Sequence, residues 1–98
     1  MSLQETATHA IEGTLVVHNR QREESLADCV RQALEGYFRQ LDGHDTSNLY
    51  QLVMEEVERP LLATVMAYTG GNQSRCAALL GISRSTLRKK LARHGLTN

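Results

Sequence analysis

The sequence predicts an all-α protein of four helices, and two observations carry this prediction. Apolar residues recur at the three- and four-residue spacing of an amphipathic helix over most of residues 25–94, and capping residues and glycines divide that pattern into segments. With 98 residues, 41% of them hydrophobic, the chain can form one domain with a small core. We predict three regions: an amino-terminal arm over 1–24, dimerisation helices over 25–71 and a helix-turn-helix over 72–98.

The arm has no helical period, and its only β-prone run is Thr14-Leu15-Val16-Val17. Gly13 precedes this run and His18-Asn19 follows it, which allows a short β-hairpin. The polar composition of the rest of the arm slightly favours a flexible segment. Both forms stay open at this point, with the flexible one preferred.

The first helix is expected to begin at Ser25-Leu26-Ala27-Asp28, which resembles a capping box with Asp in place of Glu. A side-chain oxygen at this position accepts a hydrogen bond from a free N–H group at the helix start. Asp42-Gly43 is a turn signal that ends the pattern. Between these limits one apolar stripe recurs at helical spacing: Leu26, Val30, Leu34, Phe38 and Leu41.

The second helix is expected from about Ser47 or Asn48 to Thr69, with apolar residues on two faces. One stripe consists of Val53, Val57, Leu61 and Val65, and the other of Leu49, Leu52, Leu62 and Met66. A helix that is apolar on two sides packs against two neighbours, and in so short a chain we expect the second neighbour to be another copy of the protein. We assign Leu52 and Leu62 to a face that packing within the chain does not need.

Single residues mark the bends and ends of the remaining helical segments. Pro60 removes one backbone hydrogen bond of the second helix, and because the apolar stripe resumes after it we predict a kink and not a break. The other signals are Gly70-Gly71 at the end of the second helix, Asn72 and Gly81 around the third, and Ser83 and Gly95 around the fourth.

The last two helices are short and closely spaced, as in a helix-turn-helix. Such a unit needs a small residue where its helices cross, a positive φ in the turn and an apolar residue that locks the crossing, and Ala77, Gly81 and Leu87 fill these places. Further inward contacts come from Leu80, Ile82 and Leu91. This orientation turns one polar face of the last helix outward: Arg84, Ser85, Arg88 and Lys89.

The formal net charge is zero, but the charges are unevenly distributed along the chain. Residues 72–98 contain six Lys and Arg residues and no acid, while residues 1–71 contain five arginines and eleven acids, so the two parts carry +6 and −6. A basic segment without acids attracts phosphate. Arg84 and Arg88 lie four apart on one ridge, and an arginine in a major groove can donate two hydrogen bonds to guanine. The sequence therefore predicts that this helix-turn-helix binds DNA.

Three stretches of this sequence resemble the Fis family, the factors for inversion stimulation, which are nucleoid-associated proteins of bacteria. They are QALEGYFRQLDG, then LYQLVMEEVERPLLATVMAYTGGNQSR, which includes Pro60, and finally AALLGISRSTLRKKL. The resemblance runs without a gap from about Leu26 to the carboxyl end.

The resemblance implies an intertwined homodimer of four-helix subunits that presents two helix-turn-helix units to double-stranded DNA. It implies sequence-tolerant binding and bending of DNA, transcription regulation as an activator, and an accessory role in DNA recombination. It also implies a cytoplasmic, nucleoid location, and a site-specific recombinase or RNA polymerase as further partners.

Site residues follow from the resemblance by position. Arg84 matches the arginine that reads bases, and Lys89 and Lys90 match contacts to phosphates or to the groove edge. The full expected set is Asn72, Gln73, Ser74, Ser83, Arg84, Thr86, Arg88, Lys89, Lys90 and Arg93.

Four positions depart from the family pattern. Ser83 stands where the family often has Asn and Ser85 where it often has Gly, which affects the fine sequence preference. Gly70 and Ala92 stand where relatives often have a basic residue, so we expect flanking DNA to wrap less firmly.

Other classes of protein fit the sequence less well. The output domain of an NtrC-type enhancer-binding activator has a similar carboxyl end, but the GxxxxGK phosphate loop of its ATPase does not occur here, so a free-standing protein is favoured. An enzyme is disfavoured because the four histidines are scattered and HExxH and GxSxG do not occur. We expect no catalytic residue, cofactor or metal. A helical protein-interaction module fits the two-faced second helix, a feature that a DNA-binding dimer needs as well.

The two cysteines and the distribution of apolar residues bear on the compartment. Cys29 and Cys76 lie in helical patterns without CxxC spacing, and we expect both to be reduced, small apolar core residues. No apolar run reaches the length of a membrane span, and the amino end lacks the pattern of an export signal. These features predict a cytoplasmic protein without a membrane partner.

Overall fold

The computed structural model describes residues 15–18 and 23–97. Its elements are β1 (Val16–His18), β2 (Glu23–Ser25), α1 (Leu26–Leu41), α2 (Leu49–Tyr68), α3 (Gln73–Leu80) and α4 (Arg84–Arg93). In the described residues, four helices and little strand confirm the predicted all-α class. The chain divides after Asp45 into two compact units, of which the first contains β1, β2 and α1 and the second contains α2, α3 and α4.

The first unit begins with an antiparallel pair of strands. Val16 lies opposite Ser25 and Val17 opposite Glu24, and the backbone N–H of Leu26 donates to the carbonyl of Leu15 at 3.0 Å. In these residues the arm forms paired strands, which favours the hairpin alternative. Strands of three residues are too short to give a clear alternating pattern, so the sequence signal for them was weak. The other arm residues, 1–14 and 19–22, lie outside the described part of the chain.

Helix α1 begins with the predicted cap. The Ser25 hydroxyl accepts a hydrogen bond from the backbone N–H of Asp28 at 3.0 Å. The helix ends where Asp42 adopts φ 52°, a left-handed conformation that Asp tolerates better than most residues. Within the described chain no residue of α1 is buried, so its apolar stripe remains accessible.

Helix α2 runs through Pro60 without interruption, which confirms that proline does not end it. The missing N–H of Pro60 leaves the carbonyl of Glu56 without its usual helical partner, a loss that bends helices more often than it breaks them when both sides stay packed. After α2, Gly70 and Gly71 take φ values of 65° and 84°, and these left-handed residues reverse the chain toward α3.

The core of the second unit joins α2 to the two short helices. Its buried side chains are Leu62, Cys76, Ala77, Leu87 and Leu91, with Val65, Met66, Leu80, Ile82 and Leu96 packed around them. The predicted inward contacts of α3, the turn and α4 are thereby confirmed. Burial raises the pKa of the Cys76 thiol, which keeps this cysteine in its neutral, apolar form.

The assignment of Leu62 to a face not needed within the chain was wrong. Leu62 is 1% exposed in the core that α2 shares with α3 and α4, whereas Leu52 is 43% exposed. The two leucines are ten residues apart, and the chain's own helix-turn-helix covers only the carboxyl-terminal part of their stripe. Cys29, expected in a core, is only half-buried.

We predict that Leu62→Ala lowers the free energy of unfolding by about 2–5 kcal/mol, the usual loss for a leucine removed from a packed core. Leu79→Ala is the matched control, since Leu79 is 55% exposed in the same unit. Its effect should stay within about 0.5 kcal/mol. Urea unfolding followed by circular dichroism at one protein concentration measures both. Equal losses from the two variants would contradict the central place of Leu62.

Candidate nucleic-acid interface

Helix α3 is bounded by a capping side chain and a glycine turn. The Asn72 side-chain oxygen accepts a hydrogen bond from the backbone N–H of Arg75 at 3.0 Å, which leaves Gln73 and Ser74 in the first turn of the helix. At the other end Gly81 has φ 77°, and its N–H donates to the carbonyl of Ala77 at 2.8 Å. A residue with a side chain is strained at this φ, so glycine sets the abrupt turn between α3 and α4.

Helix α4 begins with a cluster of three hydroxyl groups. The Ser83 hydroxyl accepts from the backbone N–H of Thr86 at 3.1 Å and lies 3.2 Å from the Ser85 hydroxyl and 2.9 Å from that of Thr86. These bonds occupy the Ser83 side chain with its own helix, as is usual for an N-cap serine. The first turn of α4 is therefore fixed by local contacts.

Two buried leucines determine which face of α4 is accessible. Leu87 and Leu91 lie four residues apart and are both 0% exposed, so one ridge of the helix faces the core. Arg84, Arg88 and Lys89 are nevertheless exposed. Lys89 lies opposite the buried ridge and Arg88 lies beside it, while Arg84, three residues before Leu87, is exposed at the first position of the helix. We call these three exposed cations the outward face of α4. Within the described residues no carboxylate forms an ion pair with any of these three cations. This outward face is thus a surface of uncompensated positive charge.

The carboxyl-terminal turn of α4 differs, because its cations are paired with α2. Lys90 Nζ lies 2.7 Å from Glu58 Oε2, and Arg93 Nη2 lies 2.8 Å from Glu55 Oε2. His94 Nε2 lies 2.9 Å from the second oxygen of Glu58. The Arg59 guanidinium donates to the backbone carbonyl of His94. We call Glu55, Glu58, Lys90, Arg93 and His94 the ion-pair cluster.

These contacts shift the ionisation of the two carboxylates. The pKa of Glu58 is lowered by its hydrogen bond to Lys90 and, next in size, by that to His94. The pKa of Glu55 is lowered mainly by its hydrogen bond to Arg93. Both groups thus stay ionised in the pairs, and their negative charge lies beside one end of the basic helix.

Sequence reasoning named all the exposed cations of α4 but missed Glu55 and Glu58. Their three-residue spacing places both on one side of α2, which is visible in the sequence. Their partners lie more than thirty positions later. No local pattern indicates which helix that side of α2 faces.

Other kinds of site find no support in the described part of the chain. Its His, Cys, Asp and Glu side chains form no group of three or more that could hold a metal ion. None of its helices is long and apolar enough to cross a membrane.

A capped pair of short helices, joined by a glycine turn and exposing cations on the second helix, defines a helix-turn-helix protein. Comparison with known proteins identifies the family. Residues 53–94 match a family model described as "Bacterial regulatory protein, Fis family", and residues 1–46 match one described as "DNA-binding protein Fis N-terminal domain". The chain belongs to the Fis family, as its resemblance predicted.

Curated relatives agree with this assignment. Proteins named "DNA-binding protein Fis" from Yersinia enterocolitica, Enterobacter sp. (strain 638) and Pectobacterium carotovorum are each 57% identical to this chain over 74 residues. The aligned region covers 76% of this chain and 76% of each relative. The similarity is therefore not restricted to the helix-turn-helix.

We predict that lowering the pH into the acid range destabilises the Glu58→Gln variant less than it destabilises the wild type. Because the folded-state pKa of Glu58 is lowered, its ionised form stabilises the fold above the ordinary glutamate pKa of about 4.3, and this contribution is lost as the pH falls through the folded-state value. The difference in Tm between the wild type and the variant should be largest near neutral pH and shrink in acid.

Glu56→Gln is the control for this pH series, since Glu56 is exposed and forms no ion pair among the described residues. Thermal unfolding across the pH range measures all three proteins. A difference for Glu58→Gln that stays constant into acid would show that Glu58 does not act through its charge.

Proposed function

We propose that this protein is a sequence-tolerant DNA-binding and DNA-bending protein that regulates transcription and assists DNA recombination. The observation that carries this proposal is the set of exposed cations on α4, a helix that the buried Leu87 and Leu91 anchor in the core. The relatives' name, DNA-binding protein Fis, supports the same activity. Its setting would be the nucleoid, within the cytoplasm.

The DNA-contacting surface consists of one edge of α3 and the outward side of α4. Arg84 lies at the first position of α4 and is exposed, where it can enter a major groove and donate two hydrogen bonds to a guanine edge. The capped start of α3 offers backbone N–H groups and small polar side chains to a phosphate. The proposed contacts are Asn72, Gln73, Ser74, Ser83, Arg84, Thr86, Arg88, Lys89, Lys90 and Arg93.

The cations of this surface have different roles in the proposal. Arg84 reads bases, with Arg88 one helical turn behind it on the same ridge. Lys89 is exposed and unpaired within the described residues, so it is available to a phosphate without losing a contact. Lys90 and Arg93 must first leave Glu58 and Glu55, which makes them secondary contacts.

A homodimer supports this function because it presents two α4 helices, one from each copy, to the DNA. Each unit retains an uncovered apolar surface that a second copy can cover. In the first unit the hairpin and α1 form an open groove of about 800 Å³ whose apolar lining includes Leu15, Leu26, Val30, Leu34 and Phe38. In the second unit large apolar residues are exposed on one side of α2, at Tyr50, Met54, Val57 and Leu61, and Leu52 is exposed on its other side. Surfaces of this kind are rare on monomers.

Two-fold symmetry explains why bending and sequence tolerance go together. A symmetric dimer reads two half-sites, which on straight DNA lie about 34 Å apart along one face. If the two α4 helices are closer than this, the duplex must bend, and flexible steps between the half-sites then contribute to affinity without any base contact. A site-specific recombinase or RNA polymerase bound to the same DNA is a suitable further partner.

We predict that Arg84→Ala and Lys89→Ala affect binding differently. Arg84→Ala should cost about 1–3 kcal/mol on a duplex selected by the protein from a random pool, and should reduce its preference over random duplex. Lys89→Ala should weaken binding to both duplexes equally and reduce the slope of log affinity against log salt by about 1 per contact, or about 2 per dimer. Fluorescence anisotropy at several salt concentrations measures both.

Arg39→Ala controls for the loss of one positive charge, because Arg39 is an exposed cation of α1 outside the basic segment. It should leave both the affinity and the preference nearly unchanged. If Arg84→Ala preserved the preference for the selected duplex, the base-reading role of Arg84 would be disproved.

We predict that Leu52→Asp disrupts folding and dimerisation together, because Leu52 is exposed in the single chain and its burial would depend on the second copy. Leu79→Asp, at an even more exposed leucine of α3, is the control and should remain a folded dimer. Sedimentation equilibrium and circular dichroism distinguish the outcomes. A stable, folded monomer from Leu52→Asp would contradict an obligate dimer.

A further inference from the structure

The ion-pair cluster divides the basic surface of α4 into two parts. Arg84, Arg88 and Lys89 have no carboxylate partner within the described residues, while Lys90 and Arg93 each have one from α2. A segment of six cations without an acid therefore does not present six free charges. The contacts from α2 therefore affect the charge available for DNA binding as well as the stability of the fold.

We propose that Glu55 and Glu58 are positioning residues that compete with DNA phosphates for Arg93 and Lys90. The proposal rests on the proposed function, in which α4 contacts DNA. Carboxylate and phosphate oxygens accept the same charge-assisted hydrogen bonds from Lys and Arg. A cation already held by a carboxylate gives up that contact when it meets a phosphate, so it adds less to the affinity than a free cation does. The two glutamates thus limit the electrostatic part of DNA binding.

The two ion pairs differ in how strongly the glutamate holds its cation against a competing phosphate. The Arg93 and Glu55 side chains are 50% and 47% exposed, and exposed ion pairs are weak and screened by salt. The Lys90 and Glu58 side chains are 36% and 24% exposed. Glu58 is also fixed by His94, whose side chain is only 6% exposed. Glu58 therefore restrains Lys90 more strongly than Glu55 restrains Arg93.

The geometry leaves the base-reading end of α4 unaffected. Arg84 is at the first position of the helix and Lys90 and Arg93 are in its last turn, so the ion pairs act at the end remote from Arg84. Releasing Lys90 should consequently strengthen contacts to phosphates on every duplex and leave the preference for a selected sequence unchanged. This pattern distinguishes phosphate competition from a change in the position of the whole helix.

Three single substitutions on α2 test the proposal, because each removes one negative charge. Glu58→Gln and Glu55→Gln weaken an ion pair, and Glu56→Gln is the matched control at an exposed glutamate without an ion pair among the described residues. Binding of the full chain to a random-sequence duplex is measured by fluorescence anisotropy from 50 to 200 mM KCl. Thermal unfolding without DNA shows that each variant is folded.

We expect Glu58→Gln to steepen the slope of log affinity against log salt by about 0.9 per chain, or about 1.8 for a dimer. Over that salt range its advantage over Glu56→Gln should fall by about tenfold. Glu55→Gln should give a smaller change of the same sign. With Lys90→Gln already present, adding Glu58→Gln should no longer steepen the slope, whereas a purely structural role of Glu58 would change binding whether or not Lys90 is present.

The outcomes separate this proposal from the function on which it rests. Equal slopes for Glu58→Gln and Glu56→Gln, with the wild type binding normally, would overturn the competition. A wild-type chain that binds no duplex would overturn the proposed function itself. If Glu58→Gln were unfolded, Glu55→Gln with and without Arg93→Gln would decide, since that pair is exposed and its loss leaves the core intact.

Discussion

The packing of Leu62 from α2 in one buried cluster with Leu87 and Leu91 from α4 is the contact on which the rest of the second unit depends. It fixes the rotation of α4 about its own axis. Once two leucines four residues apart face inward, helical geometry turns Lys89 to the opposite side, and Arg84 is exposed because it lies at the first position of the helix. The same side chains therefore provide the hydrophobic stability of the unit and the exposure of the surface that we propose contacts DNA.

Small residues and precise chain reversals make that packing achievable. Cys76 and Ala77 are buried at the crossing of α3, where larger side chains would separate the helices. Gly81 accepts the positive φ of the turn, and Ser83 caps α4 immediately afterwards. Each of these residues acts over a few positions, yet together they determine where a ten-residue helix begins and which side of it reaches the solvent.

Ion pairs between helices change the charge of the basic segment, and a count of charged residues along the sequence does not show this. The acid-free segment 72–98 receives negative charge from Glu55 and Glu58, which lie on a different helix. The pairs hold the end of α4 and at the same time reduce its free positive charge. Membership of the Fis family accounts for the helix-turn-helix, whereas this partition of charge follows from the contacts of this chain's own residues.

The sequence by itself determined the helices, their caps at Ser25, Asn72 and Ser83, and the inward and outward faces of α4. These features depend on hydrogen bonds and spacings within about four residues, which a sequence displays directly. Only the tertiary structure decided that Leu62 belongs to the chain's own core, that three-residue strands pair in the arm, and that Lys90 meets Glu58. Such contacts join residues that are far apart in the chain. Which residues meet depends on how whole helices and strands rotate and cross as they pack. That arrangement is determined by the summed burial of many side chains and not by a local sequence signal.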